Sequence, residues 1–237
     1  MKALFHFKQF SIQQERSAMK VGTDSILLGA WTPVADTVNR ILDIGAGTGI
    51  LSLMLAQRSN AETLDAVEID PDAYEEAVTN FEHSPWADRL FCYHSSVQEL
   101  AEEPDEKYDL IIANPPYFKP SEIAQTRARS IARQTHLLNH ITLLKTTKTL
   151  LNKEGACAFV IPFELDNFFI NLAKSMGFYL TRYCRVKDTE KAAYKRSLLQ
   201  FSLQDHPLEK EVLVLKNDDT TYSEAFKKLT GEFYLDF

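Results

Sequence analysis

Short apolar runs alternate with segments of helical spacing along most of the chain. Five runs have the length and composition of buried strands, and they cover residues 40–44, 64–69, 89–94, 108–113 and 156–161. Helical spacing is predicted between and after these runs, over residues 50–58, 71–82, 136–151 and 165–175. Two further strand candidates follow, over residues 178–186 and 196–203.

Strands that alternate with helices form doubly wound sheets, because each crossover helix covers one face of a parallel sheet. We therefore expect an α/β fold with a doubly wound, Rossmann-like sheet. A hairpin between the last two strands would place one antiparallel strand near the C-terminus of a mostly parallel sheet. Asp70 and Pro71 mark the start of the second helix, because Asp is a good N-cap and Pro fits the first helical position.

The two ends of the chain lie outside this alternation. Residues 1–30 are expected to form an N-terminal extension that packs on the core. The main domain is then predicted over residues 31–237, with the tail from about residue 206 packed on it. A chain of 237 residues can bury a sizeable core without disulfides or metals.

Charge narrows the choice of function without settling it. The chain carries 26 Lys and Arg against 33 Asp and Glu, a formal net charge of −7. An acidic total argues against a general nucleic-acid coat protein. It does not exclude an enzyme that acts on nucleic acid, because such an enzyme needs only a local basic patch.

Cysteines and histidines are not arranged for a metal or a disulfide. Cys92, Cys157 and Cys184 lie far apart in sequence. His136 and His140 have a spacing that can bind a metal on a helix, but they have no third ligand and no H-E-x-x-H pattern. We expect neither a metal site nor a disulfide.

The chain shows no pattern of a secretion signal or a membrane span. Residues 1–10 mix Lys, His and Gln with aromatic residues and have no long apolar region. No run reaches the roughly 18 apolar residues that a spanning helix needs. We expect a cytoplasmic monomer with no membrane contact and no obligate protein partner.

A glycine-rich turn follows the first predicted strand. Its sequence, D-I-G-A-G-T-G, places Asp43 at the strand end and glycines at Gly45, Gly47 and Gly49. Glycines are needed where the backbone turns sharply from strand to helix against a ligand. Dinucleotide sites use the spacing G-x-G-x-x-G, and Asp43 would repel their pyrophosphate. The acid suits a cofactor that carries a cation, as S-adenosylmethionine (SAM) does; a dinucleotide site and a purely structural turn stay open.

A second acid, Glu68, ends the next predicted strand. It lies about 20 residues past the glycines, where a carboxylate can accept hydrogen bonds from both ribose hydroxyls of a nucleoside. SAM and NAD both contain such a ribose, so Glu68 supports a nucleoside cofactor without separating the two. A surface carboxylate is the alternative.

The string Asn114-Pro115-Pro116-Tyr117 directly follows the strand predicted over residues 108–113. It is therefore expected at the carboxyl edge of the sheet, where ligands of open α/β sheets bind. The Asn114 side-chain oxygen and the Pro115 carbonyl can accept both N–H groups of an amine and direct its lone pair at a methyl donor. Pro116 stiffens the loop, and Tyr117 offers a face on which a base or an amide plane can stack. A proline-terminated strand without a role is the alternative.

Together these motifs resemble class I SAM-dependent methyltransferases of the N-P-P-Y group, which methylate adenine N6, guanine N2 or glutamine N5. The flanking sequence is similar to the bacterial tRNA1(Val) (adenine(37)-N6)-methyltransferase family. Asn80 fits that family, and the rest of the likeness is carried by residues 7–10 (FKQF), 20–24 (KVGTD), 27–31 (LLGAW), 84–87 (SPWA) and 222–225 (YSEA).

The resemblance implies a class I methyltransferase sheet, SAM as cofactor and a tRNA adenine next to the anticodon as substrate. The predicted cofactor contacts are Asp43, Gly45, Gly47, Gly49, Glu68, Ser96, Lys20 and Thr23. The predicted catalytic positions are Asn114, Pro115, Pro116 and Tyr117. A glutamine-N5 protein methyltransferase and a non-catalytic protein of the same fold that binds SAM or RNA are the alternatives.

One of these cofactor assignments departs from the pattern of the family. Such enzymes often place an acid after the third strand to bond the cofactor adenine, whereas this chain has Ser95 and Ser96, with Glu99 later. Ser96 is expected to make the contact more weakly. The segment from Lys20 to Asp24, which includes Thr23, is expected to line the cofactor pocket or to form a lid; an N-terminal turn packed on the sheet is the alternative.

An enzyme of the anticodon loop must draw its adenine out of the stack and hold nearby phosphates with basic residues. Arg127, Arg129 and Arg133 follow the N-P-P-Y string and are the predicted RNA contacts. A second basic strip consists of Lys2, Lys8, Arg16 and Lys20. A third consists of Arg182, Arg185, Lys187, Lys191, Lys195 and Arg196, with Tyr183 and Tyr194 interleaved. A solvated surface is the alternative for each strip.

Overall fold

The computed structural model describes residues 4–17, 19–102, 106–115 and 140–236. Within these ranges the strands are β1 (Leu4–His6), β2 (Ser11–Gln13), β3 (Arg40–Ile44), β4 (Thr63–Glu68), β5 (Leu90–His94), β6 (Tyr108–Ala113), β7 (Leu151–Pro162), β8 (Tyr179–Lys187), β9 (Tyr194–Ser202) and β10 (Glu209–Val214). The helices are α1 (Thr23–Trp31), α2 (Ile50–Arg58), α3 (Pro71–Glu82), α4 (Val97–Glu102), α5 (described over 140–150), α6 (Phe163–Ser175) and α7 (Glu224–Thr230).

An eight-stranded sheet forms the centre of the molecule, in the order β10-β8-β9-β7-β6-β3-β4-β5. Strand β9 is antiparallel to both of its neighbours, β7 and β8, and the remaining pairs are parallel. The predicted doubly wound sheet with one antiparallel strand near the C-terminus is thus confirmed. From β3 the chain first builds outward through β4 and β5 and then returns to add β6 on the other side. The switch point therefore lies between β3 and β6, where ligands of such sheets bind.

Both faces of the sheet are covered, which explains why its strands read as continuous apolar runs. Side chains alternate between the two faces, so that Leu110 of β6 belongs to one hydrophobic cluster and Ile111 to the other. The first cluster packs the sheet against α1, α2 and α3. The second includes Phe159 of β7 and Phe169 of α6. The sheet is therefore packed between helices on both faces, and this packing positions its carboxyl edge.

The strand β7 starts earlier than its sequence indicates. It was expected at residue 156, after Gly155, but it begins at Leu151, directly after α5. Gly155 lies inside the strand, where an added Cβ would be 3.0 Å from the Asp109 carbonyl oxygen. The register with β6 shifts between Tyr108 and Leu110. Glycine here permits a close backbone approach at an irregularity rather than a break between elements.

The N-terminal segment and the tail pack on the core and on each other. The domain boundary predicted at residue 30 falls inside α1, which packs on α2 so closely that a Cβ at Gly29 would be 2.8 Å from the Met54 sulfur. The Lys8 amide donates to the Phe233 carbonyl at 2.9 Å, which joins the two ends of the chain. Among the helices of the described ranges, none is both long and apolar enough to cross a membrane.

Candidate functional site

The glycine turn adopts a backbone that only glycine tolerates well. Gly45, Gly47 and Gly49 have φ angles of 76°, 55° and 78°. The amides of Gly45 and Ala46 both donate to the Val67 carbonyl, at 2.9 and 3.1 Å, and this ties the turn to β4. No atom lies within 4 Å of a Cβ built at Gly45 or Gly47, so these two positions leave open space above the turn.

A cavity of about 450 Å³ opens beside this turn. It is lined by Met19, Lys20, Gly22, Thr23, Asp24 and Ser25, by Gly45, Ala46, Gly47 and Thr48, by Ile50 and Leu51, and by Asn114, Pro115 and Arg196. Its volume lies within the range of small-molecule sites, about 300–1,000 Å³. The structure thus brings two of the predicted glycines together with Lys20, Thr23, Asn114 and Pro115 around one space.

Asp43 lies beneath the turn rather than on the cavity wall. It is 1% exposed, and its Oδ2 accepts hydrogen bonds from the amide and the hydroxyl of Ser52, at 3.2 and 2.8 Å. Its Oδ1 has no hydrogen-bond partner among the described residues. Burial raises the pKa of Asp43 from 3.8 to about 7; the bonds from Ser52 oppose this rise, and the charge of Glu68 adds to it. A positive charge near the turn would stabilise its ionised form.

Glu68 ends β4, as the sequence indicates, but backbone amides already occupy most of its carboxylate. Oε2 accepts from the Gly47 amide at 2.8 Å, and Oε1 accepts from the amides of Ile69 and Asp70, both at 2.9 Å. A carboxylate offers about four acceptor positions. Oε2 therefore keeps room for one further donor, such as a ribose hydroxyl, and a second would have to share with an amide.

Ser96 lies directly before α4, beyond the carboxyl end of β5. Its hydroxyl accepts from the Glu99 amide at 3.2 Å, while the Glu99 carboxylate accepts from the Ser96 amide and hydroxyl at 2.8 and 2.9 Å. This is a capping box, in which each residue satisfies an amide of the other. The bonds from Ser96 and Ser95 lower the pKa of Glu99. Both predicted nucleoside contacts, Glu68 and Ser96, thus lie along the sheet edge outside the cavity.

Asn114 follows β6 at the cavity wall, where its sequence places it. Its side-chain Nδ2 donates to the Oγ of Ser25 at 2.9 Å. Pro115 lines the same wall. Pro116 and Tyr117, the other two predicted catalytic positions, lie outside the described residues. The sequence does not indicate Ser25 as a site residue, because its contact with Asn114 joins positions 89 residues apart and no local pattern predicts it.

Arg196 lines the cavity, although its sequence neighbours indicate a basic surface strip. It was grouped with a basic surface strip, but it lines the cavity and its Nε donates to Asp24 Oδ1 at 2.8 Å. Its Nη1 is buried without a hydrogen-bond partner in the described structure. Because β9 runs antiparallel, its start lies at the same edge as the ends of the parallel strands. The one reversed strand therefore brings Arg196 to the site.

Two buried side chains of α3 hold the N-terminal segment just before the cavity wall. The Glu76 carboxylate accepts the amides of Glu15, Arg16 and Ser17, at 2.5, 2.9 and 2.8 Å. Burial opposes ionisation of Glu76, but these N–H donors outweigh it and lower its pKa. Asn80 donates to the carbonyls of Gln13 and Thr48, at 3.0 and 2.9 Å. Asn80 thus links the N-terminal segment to the glycine turn.

The third basic strip does not form a free cationic surface. Arg127, Arg129 and Arg133 lie outside the described residues, as do Lys2 and His136. Every basic residue of the third strip pairs with a carboxylate: Arg182 with Glu209 and Glu211, Arg185 with Asp166, Lys187 with Glu190, Lys191 with Asp218, Lys195 with Asp188, and Arg196 with Asp24. The ammonium of Lys8, in the second strip, donates to the Gly231 carbonyl at 2.6 Å.

Within the described residues, no group of three or more His, Cys, Asp or Glu side chains is placed to hold a metal ion. Cys92, Cys157 and Cys184 are free thiols. Burial raises the pKa of all three thiols well above the ordinary value, so none is poised to be a nucleophile.

Comparison with known proteins agrees with this architecture. Residues 17–179 match the family model of the methyltransferase small domain. A tRNA1(Val) (adenine(37)-N6)-methyltransferase of Flavobacterium psychrophilum is 45% identical over 98% of this chain and 99% of its own. The protein of the same name from Flavobacterium johnsoniae is 47% identical, with the same coverage.

A crystal structure of a predicted O-methyltransferase from Agrobacterium tumefaciens shares the fold, with a TM-score of 0.68 and 18% identity over 87% of this chain and 95% of its own. That structure shows the fold alone, whereas the family match and the two Flavobacterium relatives show the family, because they extend over most or nearly all of the chain. The chain belongs to the methyltransferase small domain family and, within it, to the tRNA1(Val) (adenine(37)-N6)-methyltransferases.

Proposed function

We propose that this protein transfers the methyl group of SAM to N6 of adenine 37 in tRNA1(Val), the reaction for which its relatives are named. The observation that carries the proposal is the position of Asn114 and Pro115, which face the glycine turn across one cavity. That arrangement puts acceptors for an amino group next to a turn built for a nucleoside cofactor.

The residues of the site fit SAM. The open space above Gly45 and Gly47 would be filled by a Cβ at either position, so the turn is shaped to receive a ligand. We assign the methionine end of the cofactor to the cavity beside Lys20, Thr23 and the turn. We assign the ribose to the remaining acceptor position on Glu68, and the adenine to the neighbourhood of Ser96. Asp43 and Gly49 lie beneath the turn. Asp43 contributes a negative charge, and Gly49 lets the backbone pack closely on Phe81.

The bound cofactor supplies a methyl group made electrophilic by its sulfonium. The target N6 is a weak nucleophile, because its lone pair is delocalised into the adenine ring. Asn114 Oδ1 and the Pro115 carbonyl accept the two N–H groups and favour a pyramidal nitrogen whose lone pair faces the methyl carbon. A C–N bond forms as the C–S bond breaks, and a proton leaves the nitrogen for solvent. Stacking of the base on Tyr117, beside Pro116, completes the proposal.

The chemistry of this site requires no metal and no covalent intermediate. Because the target is an anticodon-loop base, the protein has to bind it out of its stack, and we place the base against the cavity wall at Pro115. Contacts of Arg127, Arg129 and Arg133 with tRNA phosphates are part of the proposal. The monomeric state, the absence of an obligate protein partner and the cytoplasmic location stay predictions.

The test is transfer of labelled methyl from SAM to tRNA1(Val) that lacks the modification. We expect N6-methyladenosine with the wild type and a loss of at least a hundredfold in rate with Asn114→Ala, because removing one positioned polar group typically costs about that much. Asn167→Ala is the matched control, since Asn167 is an exposed asparagine of α6. A transcript with guanine at position 37 should accept no label.

Other outcomes would contradict the proposal in identifiable ways. Label in a protein fraction rather than in tRNA would favour a glutamine-N5 methyltransferase of the same fold. A protein that binds SAM and tRNA without any transfer would favour the non-catalytic alternative.

A further inference from the structure

The contact between Asn114 and Ser25 joins the catalytic amide to α1. Asn114 Nδ2 donates to Ser25 Oγ at 2.9 Å, and both side chains line the cavity. Both are half-buried, so solvent competes only partly for this bond. Ser25 does not cap its own helix, because the N-cap of α1 is Gly22 and carries no side-chain bond. Its hydroxyl serves the asparagine instead.

The position of the Asn114 side chain decides whether it can help the proposed reaction. Its amide has a donor branch, Nδ2, and an acceptor branch, Oδ1. Nδ2 donates to Ser25 Oγ, which places Oδ1 on the other branch. A hydroxyl can donate as well as accept, so this bond acts by fixing where the side chain lies. The bond to Ser25 thus holds the amide at the place from which Oδ1 can accept the N–H of the target amine.

Ser25 can do this because the first turn of α1 is tied to the sheet. Its neighbour Asp24 pairs with Arg196 of β9 at 2.8 Å, and the turn itself is closed by the Ile26 amide, which donates to the Gly22 carbonyl at 3.3 Å. Further along α1, Gly29 packs against Met54 with no space for a Cβ. A catalytic group held through a second residue on a rigid helix keeps its geometry better than one on a free loop.

We propose that Ser25 is a positioning residue that holds the Asn114 side-chain amide in place for acceptance of the target N–H. This inference rests on the proposed function, since it assigns Asn114 Oδ1 to the amino group of the substrate. It predicts a defect in the transfer step and not in cofactor binding.

The first experiment compares Ser25→Ala with Ser25→Thr in single-turnover methylation of unmodified tRNA1(Val). Loss of one hydrogen bond that orients a catalytic group is expected to slow transfer by Ser25→Ala about tenfold. Ser25→Thr keeps a hydroxyl and should restore most of the rate. The Kd for SAM should change less than twofold in both variants. Ser175→Ala, an exposed serine of α6, is the matched control and should transfer methyl at the wild-type rate.

The second experiment repeats Ser25→Ala in an Asn114→Ala background. Without the side-chain amide at position 114 there is no group for Ser25 to hold. The tenfold effect of Ser25→Ala should therefore fall to less than threefold. A role of Ser25 in folding or cofactor binding would give the same loss in both backgrounds, because such a role does not depend on the amide.

The results separate this inference from the proposed function. A wild type that fails to label tRNA overturns both. A wild type that labels tRNA, together with Ser25→Ala at wild-type rate or an undiminished loss in the Asn114→Ala background, overturns the role of Ser25 alone.

Discussion

Asp43 is a buried acid, and its burial makes the stability of the protein depend on pH. With a native pKa near 7 against an ordinary value of 3.8, the folded protein binds a proton at Asp43 more tightly than the unfolded chain does. The stabilisation from that proton is fully present below the unfolded pKa and is lost as the pH rises through about 7. Asp43 therefore destabilises the cofactor-free protein in neutral and alkaline solution.

Asp43→Asn is expected to remove this pH dependence. The advantage of the variant over the wild type in free energy of unfolding should grow by about 3 kcal/mol from about pH 5 to about pH 8. Urea denaturation without cofactor, at several pH values, measures it. Asp88→Asn is the control, since it removes the same charge from an exposed position. Curves for the Asp43 variant that run parallel to the wild type would show that Asp43 is ionised throughout.

Gly47 and Gly49 belong to the same sequence motif, but one leaves space for a ligand and the other is needed for packing. A Cβ at Gly49 would lie 2.4 Å from a ring carbon of the buried Phe81, whereas a Cβ at Gly47 would meet nothing within 4 Å. Both have positive φ, so alanine at either position strains the backbone by about 1 kcal/mol. The sequence motif names both glycines without separating packing from ligand space.

The two alanine variants should separate these roles. Gly49→Ala adds overpacking to strain and is expected to lower the free energy of unfolding by about 2–4 kcal/mol. Gly47→Ala should cost only about 1 kcal/mol of stability but weaken SAM binding at least tenfold, because its methyl group fills cofactor space. Urea denaturation and calorimetric titration with SAM measure the two effects. Equal losses of stability in both variants would refute the distinction.

At the scale of elements, the cavity wall formed by residues 19–25 depends on α3, which does not line the cavity. Glu76 holds three successive amides just before this wall. Since these bonds lower the pKa of Glu76, the stability they provide is present above its unfolded pKa and is lost as the pH falls through the native pKa. One buried acid thus couples the position of the N-terminal segment to the cofactor site.

Glu76→Gln is expected to loosen this wall without unfolding the core. One oxygen of the carboxylate becomes an NH2 group that faces amide donors, so we expect a loss of about 2 kcal/mol. Hydrogen exchange should accelerate at residues 15–17, and the Kd for SAM should rise. Glu75→Gln provides the control, because Glu75 lies on the exposed face of the same helix. Unchanged exchange in the Glu76 variant would mean that other contacts hold the segment.

The elements that the sequence predicted are those whose burial leaves a pattern. Strands β3, β4 and β6 lie in the middle of the sheet and read as apolar runs. Helix α1 was missed because residues 26–31 are buried on all sides and show no amphipathic period. Strand β10 was missed because it is an edge strand with charged, exposed residues over 209–211.

Some residues of the candidate site could likewise be predicted from the sequence and others could not. Motif residues at strand ends, such as Glu68 and Asn114, were placed correctly at the carboxyl edge because parallel strands end together there. Ser25 and Arg196 were not assigned to the cavity, since their roles come from contacts between distant parts of the chain. Local patterns report which residues end a strand, but not which helix or reversed strand packs against them.

For the molecule as a whole, an acidic protein must bind an acidic substrate. The third basic strip offers few free charges for tRNA, because each of its cations pairs with a carboxylate that a phosphate would have to displace. Arg127, Arg129 and Arg133 are therefore expected to carry the larger share of tRNA binding. Their neutralisation to Gln should weaken binding and lower the slope of log affinity against log salt by about two to three phosphate contacts.

The matched control is neutralisation of three lysines of the third strip, Lys187, Lys191 and Lys195, to Gln. It changes the net charge by the same amount, so long-range repulsion between protein and tRNA rises equally in the two triple variants. Only the loss of direct phosphate contacts should differ, and we expect the lysine variant to change the salt slope by less than about one contact. Filter binding of tRNA1(Val) over a range of NaCl concentrations measures both slopes. A larger loss in the lysine variant would place the tRNA on the hairpin of β8 and β9, and its carboxylates would then have to release their partners when tRNA binds.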